Sequence, residues 1–138
     1  MLLLNIKLVY NTIVDTNKTY TSEITIKKSR FIATLSHFDN QEELKKAIDD
    51  TRKAHPKARH VVHAAVFGEK SDVFSMSDDR EPKYTAGKPM LNILVGSGLK
   101  NVGVITVRYF GGTLLGRGGL QKAYSDVCKA VVNEAKES

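Results

Sequence analysis

The chain has 138 residues, 41% hydrophobic and 26% charged, with 21 Lys and Arg against 15 Asp and Glu for a formal net charge of +6. That length suits one domain with a core of its own, and the composition excludes a disordered or fibrous chain. Cys128 is the only cysteine, which excludes an internal disulfide and a cysteine-based zinc cluster. No run approaches the roughly 18 apolar residues of a membrane span.

Residues 1–20 open apolar, but the run breaks at Asn5 and Lys7 and lacks a basic start and a small-residue cleavage site. They read as a lead-in rather than a signal peptide, so a cytoplasmic location without membrane association is expected. Residues 22–38 form two strands around the basic patch Lys27, Lys28 and Arg30. Asn40 with Glu43 three residues on is a capping-box signal, and Leu44, Ala47, Ile48, Thr51 and Ala54 line one face of the helix that Pro56 stops. Residues 59–68 are a buried strand closed by Gly68, and 71–77 the strand returning from it. Residues 77–87 are a polar, turn-rich loop. A second helix starts between Ala86 and Pro89, with Leu91, Leu94 and Val95 as its core face and Gly96 and Gly98 at its end. The near-continuous apolar run 101–109 is a central strand covered on both faces. The last helix runs from about Gly119, with Leu120, Ala123, Tyr124, Val127, Val131 and Ala135 on its buried stripe. Mixed strand pairing with helices packed on the sheet gives a two-layer α+β domain over residues 21–138.

Five of the chain's ten glycines fall between Gly111 and Gly119. A buried strand precedes them and a helix follows, which is where unpaired N–H groups can cradle a phosphate. Gly111 and Gly116 have P-loop spacing, but Arg117 and Gly118 stand where Lys and Ser or Thr belong, so no Mg²⁺-dependent nucleotide triphosphatase is expected. Two readings stand: a strand-to-helix joint, or an anion nest formed by Arg108, Gly111, Gly112, Arg117, Gly118, Gly119 and Lys122. The net charge favours anionic partners, RNA first among them.

Asp78, Asp79 and Glu81 cluster in the polar loop, with Thr85 and Lys88 close behind. Clustered carboxylates can hold a divalent cation or act as an acid/base pair, but the spacing is not that of a calcium loop. Turn and cap chemistry is the plainer reading, and pairing with Arg108 or Arg117 is a third. His60 and His63 are three apart on a strand and point to opposite faces, so no zinc site is expected. His60 reads as a satisfied, partly buried histidine beside the site, and Cys128 as packing. Lys122, Lys129 and Lys136 recur every seven residues on the outer face of the last helix. No metal and no cofactor is expected.

Residues 26–35 (IKKSRFIATL), 77–91 (SDD-EP--TAGKPML) and 101–125 (NVGVITVRYFGGTLLGRGGLQKAYS), with ARHVVHA at 58–64, resemble the YigZ/IMPACT family in order and spacing. The resemblance implies a two-layer α/β sandwich with a left-handed crossover, similar to a ribosomal-protein domain. It also implies regulation of translation, by contact with RNA, the ribosome or a translation-control protein. The family loop usually reads Asp-Asp-Gly-Glu-Pro-Ser-Gly-Thr-Ala-Gly, whereas this chain has Arg80, Lys83 and Tyr84 at the Gly, Ser and Gly positions. The bulkier residues imply an altered loop backbone or a partly blocked site. Relatives carry a second domain, ferredoxin-like or RWD, and the reading here is of a single domain without it. A binding module is expected, with a small enzyme acting through the acidic loop on a phosphorylated or peptide substrate as the alternative.

Overall fold

The computed structural model describes residue 15 and residues 17–138; most of the lead-in expected over 1–20 lies outside the described residues. The elements are β1 (Thr19–Ile26), β2 (Ser29–His37), α1 (Gln41–Ala54), β3 (His60–Phe67), β4 (Val73–Ser77), α2 (Gly87–Ser97), β5 (Val102–Tyr109) and α3 (Gly116–Glu137). They form one α+β domain around a five-stranded sheet in the order β1-β2-β5-β3-β4. The pairing is not mixed: every neighbouring pair of strands is antiparallel. The crossover through α1 carries β3 past the position that β5 later fills, so β2 and β3 both run against β5.

β5 is the central strand its apolar run implies, buried from Val102 to Arg108. Val102 and Val104 face a large core with Phe31, Ala33, Leu35, Val62, Val66 and the buried stripes of α2 and α3. Ile105 and Val107 face a smaller cluster under α1 with Phe38, Leu44, Val61 and Phe67. The sheet and the α2–α3 layer therefore carry most of the burial, and α1 covers part of the opposite face.

α1 starts where its cap chemistry places it. Asn40 Oδ1 accepts the Glu43 N–H at 3.0 Å, while Glu43 reaches back one residue further than a capping box requires, to the N–H of Asp39 at 2.8 Å. α2 buries Met90, Leu91 and Leu94, whereas Val95 is 50% exposed. Each step of four residues rotates about 40° onward, so Leu91 sits on the edge of the stripe and Val95 beyond it. Gly98 ends α2 in the left-handed conformation (φ 76°). α3 begins at Gly116, one turn earlier than its apolar stripe indicates, which draws Gly116, Gly118 and Gly119 into its first turn.

The β1–β2 hairpin turns through Lys27 and Lys28, both at positive φ (47° and 69°), the geometry that lets a two-residue turn follow the strand twist. Gly111 packs against that turn so closely that a Cβ would stand 2.2 Å from the Lys28 carbonyl carbon and 2.4 Å from the Ser29 nitrogen. Gly118 is the opposite case, with open space around its missing Cβ. Gly111→Ala is therefore expected to lower unfolding stability by about 3 kcal/mol or more, because the obstacle is backbone. Gly118→Ala should raise it by up to about 1 kcal/mol. Urea denaturation of both variants checks this, and equal effects would contradict the packing described.

Candidate functional site

Antiparallel pairing brings the starts of β2 and β3 and the ends of β4 and β5 to one end of the sheet. His60 pairs with Arg108, and Arg30 with Tyr109. The loop after β4 and the start of α3 close over that end. Its centre is a buried ion pair: Nη1 of Arg108 lies 2.9 Å from each oxygen of Glu81, with side-chain exposures of 5% and 2%. The Tyr124 hydroxyl donates to Glu81 Oε2 at 2.5 Å, and His60 Nε2 lies 3.3 Å from Glu81 Oε1. Burial and the adjacent carboxylate push the Tyr124 phenol far above its ordinary pKa, so it stays a donor. Arg108 Nη2 donates to Ser29 Oγ at 3.3 Å, and the same oxygen accepts the Gly111 N–H at 3.1 Å. The rings of Phe31 and Phe110 flank the guanidinium at 5.4 and 5.6 Å.

Each carboxylate of the acidic loop has a structural partner. Asp78 Oδ1 accepts the N–H groups of Ala86 and Gly87 (3.1 and 2.9 Å) and Oδ2 that of Tyr84 (2.9 Å), so it caps α2 from outside. Asp79 Oδ2 accepts the Val61 N–H at 2.7 Å and Arg52 Nη1 at 3.2 Å. Burial alone would raise the Asp79 pKa, but the Val61 N–H and the positive charges of Arg52 and Arg80 outweigh it and hold it low. Thr85 is buried and donates to the Pro82 carbonyl at 2.5 Å. His60 Nδ1 faces the Asp79 carbonyl at 2.8 Å and therefore carries a proton there. His63 lies on the opposite face beside Ser75, its pKa lowered first by burial and then by Arg52. Among the described residues, no group of three or more His, Cys, Asp or Glu is placed to hold a metal. Burial raises the Cys128 thiol to about 12, in keeping with a packing role.

The loop keeps a backbone suited to glycine despite its bulkier residues. Arg80 and Tyr84 both lie at positive φ (67° and 66°), with their side chains exposed. Both residues hold that backbone with exposed side chains, Arg80 as part of the lining of a cavity at this end of the sheet.

Between this loop and the start of α3 lies a cavity of about 390 Å³. Arg59, Arg80, Arg108, Arg117 and His60 line it against a single carboxylate, Glu81, with Phe110, Leu114 and Leu115 as apolar wall. Arg59 stacks over Phe110 at 4.8 Å, and Arg117 Nη2 donates to the Lys83 carbonyl at 2.7 Å, strapping α3 to the loop. Sequence reasoning names Arg108, Arg117, Glu81 and His60 here but not Arg80, Ser29, Phe110 or Tyr124 as site residues. The one available signal is Tyr124, whose hydroxyl falls on a buried stripe and needs a partner. Gly111 serves the hairpin contact, and Gly112 and Gly116 turn at positive φ (91° and 74°). Two candidates lie elsewhere: Lys122 pairs with Asp126 at 2.8 Å on the outer face of α3, and Lys88 lines a separate open groove with Met76, Gln121 and Lys129.

The Impact N-terminal domain family matches residues 27–132. The IMPACT family member YigZ of Escherichia coli (strain K12) is 52% identical over 101 residues, 72% of this chain and 50% of that relative. A crystal structure of an hypothetical protein aligns with a TM-score of 0.83 and 43% identity, covering 88% of this chain and 60% of the other. The two-domain translational regulator Yih1 aligns with a TM-score of 0.54 and 26% identity, over 90% of this chain and 50% of that one. The chain spans about half the length of the curated relatives it matches.

Two outcomes follow from the site's electrostatics. Glu81→Gln leaves Arg108 buried without a counter-charge and should cost about 3–5 kcal/mol, while the apolar pair Glu81→Leu with Arg108→Met should recover most of that. Urea denaturation tests this, and a cost below about 1 kcal/mol for Glu81→Gln would contradict the pairing. Asp79 is held below its ordinary value of 3.8, so its stabilisation is complete above that pH and is lost as pH falls through the lower folded-state value. The stability gap between the wild type and Asp79→Asn should be constant at neutral pH and shrink as pH falls below that carboxylate's ordinary value of 3.8. A gap that does not change with pH would contradict the assignment.

Proposed function

We propose that this chain, which belongs to the IMPACT family, is a binding module of translation regulation that contacts ribosomal RNA through the cationic end of its sheet. Family membership and the likeness to the translational regulator Yih1 fit a role in translation. The RNA contact rests on one observation: four arginines and a histidine line a cavity whose single carboxylate is already bound by Arg108 and Tyr124. The cavity is left with surplus positive charge, the property that draws phosphates.

Binding is favoured over catalysis because the acidic loop has committed its carboxylates. Asp78 caps a helix, Asp79 holds the start of β3, and Glu81 neutralises Arg108. An acid/base pair would need at least one of them released. The reading invokes no cofactor, and a ribosome contact would place the protein in the cytoplasm. Among the described residues no helix is long and apolar enough to cross a membrane.

Co-sedimentation with purified ribosomes over a salt series tests the proposal. The wild-type protein should pellet with ribosomes at moderate salt. The variant Arg59→Gln, Arg80→Gln, Arg117→Gln should bind at least tenfold more weakly, with a salt slope lower by about three, one per lost phosphate contact. Equal binding and equal slopes would overturn the RNA contact and turn the search to a translation-control protein.

A further inference from the structure

The six arginines of the chain fall into two groups. Arg30, Arg52 and Arg108 pair with Glu23, Asp79 and Glu81 at 3.0, 3.2 and 2.9 Å. Arg59, Arg80 and Arg117 have no carboxylate within ion-pair distance among the described residues, and all three line the same cavity. Surface arginines without partners would be expected to scatter over the molecule; these gather around one recess.

We propose that this cavity is a receptor for a single phosphate monoester group, carried by a ligand of about nucleotide size. The inference rests on the anion-binding reading of the site given above and adds the ligand's chemistry. Four features favour a monoester. A phosphate monoester is close to a dianion at neutral pH and offers three free oxygens, enough acceptors for three separate guanidiniums, whereas a backbone diester offers two and one charge. The floor adds a further positive residue: Arg108 lines the cavity, its side chain 5% exposed. The start of α3 faces the same space through Gly116 and Arg117, and no side chain caps it, so first-turn N–H groups remain free to meet an anion. Finally, a volume of about 390 Å³ lies within the range of small-ligand sites, and Phe110, Leu114 and Leu115 offer apolar wall for the rest of the molecule.

Arg80 gives the test a variant that separates binding from folding. It sits at φ 67°, so Arg80→Gly removes the guanidinium and relaxes the backbone together. The experiment is thermal unfolding of the whole chain, titrated with inorganic phosphate, a nucleoside 5′-monophosphate and the matching nucleoside. The wild type should gain about 4 °C at ten times the dissociation constant of either phosphate compound and nothing from the nucleoside. Arg80→Gly should melt at or above the wild-type temperature yet bind phosphate about tenfold more weakly, and Arg59→Gln should show the same weakening. No shift with phosphate, or shifts in both variants as large as that of the wild type, overturns the proposal. Short RNAs bearing 5′-phosphate or 5′-hydroxyl then identify the source. A preference of tenfold or more for the 5′-phosphate assigns an RNA end, and equal affinity with phosphate binding retained assigns a free small ligand. Phosphate binding without ribosome binding would sink the ribosomal RNA contact and leave this site standing; the reverse would sink this site alone.

Discussion

A carboxylate 2% exposed beneath a guanidinium 5% exposed is the constraint on which one end of this molecule is built. Removing both charges from water costs several kcal/mol, so the pair persists only where the geometry satisfies nearly every donor and acceptor. Glu81 accepts from Arg108 and Tyr124, and Arg108 donates also to Ser29. Those residues come from the loop after β4, the end of β5, the middle of α3 and the start of β2. Shifting any one of the four segments would strand a charge in a dry interior. What the pair contributes is therefore position more than stability, because apolar residues of similar volume could hold the same elements together at lower desolvation cost. Gly111 shows how tight that positioning is, since its backbone lies against the hairpin turn with room for hydrogen and nothing larger.

Local chemistry made most elements legible in the sequence. The cap at Asn40, the stop at Pro56, the left-handed exit at Gly98 and the stripe of α3 each depend on residues within one or two turns of one another. Strand direction was not legible, because a hydrophobic pattern has no polarity and β2 pairs with β5 across some seventy residues of chain. The two strands around Lys27 and Lys28 were legible, but the left-handed backbone of the turn was not: lysine has no preference for that region, and the turn is fixed by the two strands closing around it. At the site the sequence offered cap chemistry and a pairing with Arg108 or Arg117, but not which acid takes which task. Asp78 finds its partners a few residues on, at Tyr84, Ala86 and Gly87, while Asp79 and Glu81 find theirs on distant strands and helices. The glycine stretch divides in the same way. Gly112 and Gly116 are needed for their own backbone angles, whereas the need for Gly111 arises only when residue 28 arrives beside it.

The strain in the loop bears on what the site is for. Arg80 and Tyr84 hold left-handed backbone that costs a side-chain-bearing residue about 1 kcal/mol or more apiece. The surroundings impose that shape: Asp78 binds the Tyr84 N–H on one side, and the Glu81 N–H closes onto the Asp78 carbonyl at 2.9 Å on the other. Glycine would relieve both positions without disturbing a single one of those bonds, since all of them use the backbone or a neighbouring side chain. The one stabilising contribution the arginine makes is its charge beside Asp79, the smallest of the influences that hold that carboxylate low. Arg80 also lines the cavity and forms no ion pair among the described residues, a second contribution that glycine could not make. Strain retained at a residue that adds charge to a recess fits the proposed ligand site better than a fold joint alone. By that argument the glycine-rich loop and the acidic loop form the frame, while the unpaired arginines define the ligand. A change of ligand among relatives would then be expected at Arg59, Arg80 and Arg117, leaving Glu81, Arg108 and Tyr124 in place beneath them.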